Sequence, residues 1–138
     1  MKNRANVAVA LVALLASSTA QAQRTPQASL DCKPSGTNFV YDCNVRLTRA
    51  GDPLANVEVS IGADMPSMPM AHNVKPAKAK PTEVPGEFRA RLELEMHGEW
   101  ALKLRLSGAV NDLLVLRYEF DKDGARPAQP RARGQPAR

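Results

Sequence analysis

Strict alternation of apolar and polar side chains, repeated along most of the chain, limits what this sequence can fold into. Val57, Val59 and Ile61 alternate with Glu58 and Ser60. Phe88, Ala90, Leu92, Leu94 and Met96 alternate with Arg89, Arg91, Glu93 and Glu95. Trp100, Leu102, Leu104 and Leu106 alternate with Ala101, Lys103 and Arg105, and Leu114, Leu116, Tyr118 and Phe120 alternate with Val115, Arg117 and Glu119. Successive side chains of a strand point to opposite faces, so each run is a strand with one dry and one wet face. Gly51-Asp52-Pro53, Pro85-Gly86, His97-Gly98 and Ser107-Gly108 separate the runs with turn residues. Two strands precede residue 50, four follow it, and a short seventh is expected near Lys80 to Val84. Such a series predicts an all-β fold, an immunoglobulin-like antiparallel β-sandwich of six to seven strands. A small closed barrel is the competing architecture.

The two ends of the chain read differently from this body. Lys2 and Arg4 precede an apolar run, Ala5 to Ala16, and Ala20-Gln21-Ala22 places small residues where a signal peptidase cuts. The run is well short of the ~20 apolar residues that span a bilayer, so residues 1–22 are expected to be a cleaved signal peptide and the protein periplasmic. Residues 23–121 form the domain. Residues 122–138 hold Pro127, Pro130, Pro136 and four arginines without a large apolar side chain, and are expected to be a disordered basic tail. The basic excess behind the formal charge of +5 resides in those two ends. Within residues 23–120 acids and bases cancel, so the folded part has no electrostatic footprint for nucleic acid.

Export changes the meaning of the two cysteines. Cys43 shares its parity with Phe39, Tyr41, Val45 and Leu47, and Cys32 shares its parity with Leu30. Pro34 to Asn38 between them is a turn. Two inward cysteines on consecutive antiparallel strands can meet, and an oxidising compartment favours a Cys32–Cys43 disulfide over a thiolate metal site or a redox pair.

No nucleophile elbow, zinc-protease helix or phosphate-cradling glycine loop occurs, and no enzymatic role is expected. The chemistry lies in the sulfur and imidazole groups. Beyond the leader, every methionine and histidine falls within Asp64-Met65-Pro66-Ser67-Met68-Pro69-Met70-Ala71-His72 or in Met96-His97. Pro66 and Pro69 exclude a helix or a central strand from the first stretch and favour an extended loop, in which Met68, Met70 and His72 face one side. Thioether sulfur is neutral and soft, suited to Cu(I) and poor for Zn²⁺, Mg²⁺ or Ca²⁺; an imidazole adds affinity. Core packing and a partner-binding surface are the other readings of these methionines. By parity Met96 belongs with core leucines, whereas Met65, Met68 and Met70 stand among prolines. His97 lies beside a glycine turn, either as a ligand or as a bystander. Trp100 has core parity; near the loop it would be able to cap Cu(I) through cation–π contact.

The loop Gly62 to Val74, then Pro85-Gly86-Glu87-Phe88, then Met96-His97-Gly98-Glu99-Trp100 and a closing apolar strand resemble, in that order, the YtkA-like domain family. That family is similar to FixH-type proteins and to CopC-like periplasmic copper carriers. The resemblance spans residues 28 to 120. It implies an immunoglobulin-like domain outside the cytoplasmic membrane, handling copper or another heavy metal or assisting oxidase assembly. Ligand roles carried over fall on Met65, Met68, Met70, His72, Met96 and His97. The expected partners are a copper ion and a membrane oxidase-assembly or metal-efflux protein, with the domain itself a monomer.

Overall fold

Every regular element among the described residues is a β-strand, as the alternation requires. The chain is seen in a computed structural model whose described residues are 24–70 and 73–130; the leader expected at 1–22, His72 and residues 131–138 lie outside them. The strands are β1 (Gln27–Pro34), β2 (Val40–Arg49), β3 (Asp52–Pro53), β4 (Val57–Asp64), β5 (Asn73–Pro81), β6 (Glu87–Glu93), β7 (Gly98–Gly108), β8 (Asp112–Asp121) and β9 (Gly124–Pro127). They form one antiparallel path, β1-β2-β6-β5-β4-β7-β8-β9, with β3 set against β2.

The inward rows read from the sequence make the core. Val45, Leu47, Ile61, Leu92, Trp100, Leu102, Leu104 and Phe120 are almost fully buried. Each such side chain contributes roughly 1.5–3 kcal/mol of transfer free energy, which is why one register is chosen and kept. Cys32 lies directly opposite Cys43 in the β1–β2 ladder, and the two form the expected disulfide.

The strand count departs from expectation, and each addition has a local cause. β5 begins at Asn73 rather than near Lys80. Its lysines and prolines conceal it because it serves two neighbours. Residues through Ala79 pair with β4, and Lys80 and Pro81 pair with Phe88 and Arg89 of β6. Pro76 sits where the β4–β5 register slips between Ile61 and Ala63, a bulge that needs no proline N–H. β3 is only two residues long.

β9 corrects the boundary drawn at residue 121, since residues 124–127 belong to the sheet and not to a disordered tail. Its register against β8 runs from Tyr118 opposite Pro127 to Asp121 opposite Gly124. What a local reading misses is its tertiary footing. Gly124 has φ +137°, and a Cβ there would lie 2.6 Å from the Cys32 carbonyl oxygen. The backbone of β9 thus rests on β1, and the Leu30 amide donates to the Tyr118 hydroxyl at 3.0 Å. The two ends of the strand path come back together there, and the single curled sheet lies between the two architectures weighed from the sequence. Gly124→Ala should therefore lower the unfolding free energy by about 2 kcal/mol, from backbone strain and collision together. Urea denaturation monitored by circular dichroism checks this; an unchanged midpoint would show that β9 is not seated on β1.

Candidate metal centre

Strand direction brings the sequence-separated motifs to one end of the molecule. The ladders put Pro34 opposite Tyr41, Val40 opposite Glu93, Asp64 opposite both Asn73 and Ala101, and Gly98 opposite Phe120. The turn after β1, the Met-Pro loop after β4, the Met96-His97 turn after β6 and the turn after β8 consequently share that end.

The Met-Pro loop is not extended. The Met68 amide donates to the Met65 carbonyl at 3.0 Å, closing a tight turn with Pro66 in its second position. Proline presets φ for that position, and so it folds the chain back where an extended segment was expected. The root of the loop is held by an ion pair between Asp64 and Lys103.

The turn divides the methionines. Met65 is only 3% exposed and belongs to the core cluster, while Met68 is 38% and Met70 96% exposed. Met65, expected as a ligand, is buried in the core as a packing residue. The signal was present in the sequence: Val57, Val59, Ile61, Ala63 and Met65 share one parity, and all five are buried. The prolines after Met65 obscured it. Its terminal methyl reaches the second motif, because a Cβ on Gly98 would lie 3.2 Å from Met65 Cε. Met65 therefore joins the two stretches from beneath, and Met68 and Met70 remain on the surface.

The second stretch is a turn rather than a strand end, since β6 stops at Glu93. Met96 is half-buried and packs against the core, and its carbonyl accepts the indole N–H of fully buried Trp100 at 3.2 Å. Trp100 is a core residue, as its parity indicated. His97 is exposed, and its ring meets that of Phe39 edge to face, centroids 5.0 Å apart and planes at 76°. Beside it lies a cleft of about 200 Å³, lined in part by Phe39, Tyr41, His97 and Asp121. The Tyr41 hydroxyl donates to the Asp121 carbonyl at 2.8 Å. Burial, and then the nearby Asp121 carboxylate, push that phenol above its usual range, so it is a fixed neutral donor and not an acid.

The donor chemistry is narrow. Among the described residues no three His, Cys, Asp or Glu side chains converge on a point, and both cysteines are spent in the disulfide. A hard-ion or thiolate cage is therefore not formed by them. What this end offers is thioether sulfur from Met68, Met70 and Met96 and imidazole from His97, a set that fits a soft monovalent cation. His72, the remaining expected ligand, lies outside the described residues. Sequence reasoning placed Phe39 only in the inward row with Tyr41 and Cys43; it lies in the turn just before β2, and its contact with His97 spans a separation that no local pattern encodes.

The sequence model of the YtkA-like family matches residues 26–105, from the start of the sheet through most of β7 and including both Met/His stretches. No curated protein and no solved structure matches the chain.

Proposed function

The chain belongs to the YtkA-like family, and on that footing we propose that it is a periplasmic carrier of Cu(I) or a similar soft heavy-metal ion. Met68, Met70 and His72 would hold the ion from the loop, with Met96 and His97 as its neighbours on the adjacent turn. The observation that carries this reading is the meeting of the two Met/His stretches at one end, joined by the contact of Met65 with Gly98. Buried Met65 anchors the loop, while exposed Met68 and Met70 leave their sulfurs within reach of an ion and of an acceptor. Thioethers are uncharged and soft, so an ion held by them can pass to a stronger ligand without a proton having to move. The layout of residues 1–22 supports export to the compartment where such an ion would be met.

Anaerobic titration of the purified domain with Cu(I), against a chromophoric chelator, tests the proposal. Saturable uptake is expected. Replacing Met68 and Met70 together by alanine should weaken it at least tenfold, roughly the lower bound reached even by changes behind the ligands of metal sites. Both side chains are exposed, so stability should change by no more than about 0.5 kcal/mol. Absence of saturable uptake would defeat the reading. A second reading draws on the 96% exposure of Met70: an adhesive methionine surface that docks on a membrane assembly or efflux protein without metal. It gains ground if the double variant loses a partner while the wild-type domain takes up no Cu(I).

A further inference from the structure

We infer that Phe39 is a positioning residue for His97, holding its imidazole at the Met/His end of the molecule; the metal arm of this inference rests on the Cu(I) reading above. The first observation is conformational. The Val40 amide donates to the Thr37 carbonyl at 3.1 Å, so Thr37 to Val40 form a β-turn with Phe39 in its third position. Phe39 has φ +60° there. That region favours glycine or asparagine and opposes a bulky L side chain. Asparagine stands one residue earlier and glycine three earlier, yet the strained position holds an aromatic ring. Strain retained against easily available alternatives points to a use for the side chain.

The second observation is what Phe39 touches. Its ring meets His97 edge to face at 5.0 Å. Its carbonyl accepts the Leu94 amide at 2.8 Å, at the entrance to the Met96-His97 turn. Trp100 grips the same turn through the Met96 carbonyl. The turn is thus held at its entrance, at its middle and at its imidazole, and Phe39 supplies two of the three contacts. An exposed histidine without such a contact would sample several rotamers and lose them on binding an ion. The edge contact restricts that freedom beforehand.

The test compares Phe39→Asn, Phe39→Tyr, His97→Ala and the Phe39→Asn/His97→Ala pair by two measurements. In the metal-free protein, the His97 ring protons should shift in the NMR spectrum of Phe39→Asn, as the ring current is lost, and stay near their wild-type positions in Phe39→Tyr. In the Cu(I) titration, Phe39→Asn should weaken binding about three- to tenfold, Phe39→Tyr should restore it, and Phe39→Asn should add nothing in the His97→Ala background. Unmoved His97 resonances in Phe39→Asn overturn the inference. So does an equal loss of affinity in the absence of His97, which would mark a general loosening of the turn. If the wild-type domain takes up no Cu(I), the carrier reading falls, and the positioning role is decided by the metal-free spectra alone.

Discussion

Trp100→Ala is expected to lower the unfolding free energy by about 4 kcal/mol, within the range seen when a buried aromatic is cut to alanine. Trp100 is fully buried in β7, opposite Tyr118. Truncation would leave a large void in the core beneath the Met96-His97 turn and would strip the Met96 carbonyl of its indole donor. A domain of this size has a total stability of about 5–15 kcal/mol, so such a loss removes a large share of it. Trp100→Phe keeps most of the apolar contact and gives up only the hydrogen bond and part of the volume; it should cost about 1–2 kcal/mol. Chemical denaturation followed by far-ultraviolet circular dichroism measures both, since Trp100 is the sole tryptophan and fluorescence is lost with it. A cost below about 1 kcal/mol for Trp100→Ala would contradict its full burial.

Joint replacement of Cys32 and Cys43 by alanine should cost about 3 kcal/mol, the chain-entropy value for a loop of this length. The bridge joins residues 11 apart on the neighbouring strands β1 and β2. Its loss acts mainly on the unfolded chain, which gains freedom it did not have. A local consequence should accompany the global one. β1 ends the strand path, and β9 leans on the Cys32 carbonyl through Gly124. Hydrogen exchange should therefore quicken in β1 and β9 before it does in β4 and β7. Thermal melts with and without a phosphine reductant give the stability term. Cu(I) affinity should change little, because the bridge is buried and the proposed donors are thioethers and imidazoles. A large gain of affinity on reduction, with the fold intact, would assign the freed thiolates of Cys32 and Cys43 to the ion and refute a purely structural role.

Trp100 and the Cys32–Cys43 bridge both brace the Met/His end of the sheet. Trp100 holds the Met96-His97 turn from within, and the disulfide holds the β1–β2 hairpin whose turn carries Phe39. Rigidity there would serve the proposed site: the exposed Met68 and Met70 could exchange ligands while their supports stay in place. The loop root is tied in the same way by Asp64 and Lys103.

Much of this was legible in the residues alone, for a physical reason. A strand sends alternate side chains to opposite faces, so the rows ending in Leu47, Leu92, Leu106 and Phe120 declare their inner face without knowledge of their neighbours. Inward parity also placed Cys32 and Cys43 where they could pair, and turn residues marked most of the breaks between strands. The tertiary structure alone decided three things. Met65 was drawn into the core because the inward row it extends ends against Gly98, on a strand far away in sequence. Gly124 made a strand of a stretch too polar to order itself, because its missing side chain lets β9 lie on the backbone of β1. Phe39 took a disfavoured conformation because its ring had His97 to cover. In each case the deciding contact joins residues distant along the chain, and the energy of such a contact cannot be read from either partner's own neighbourhood.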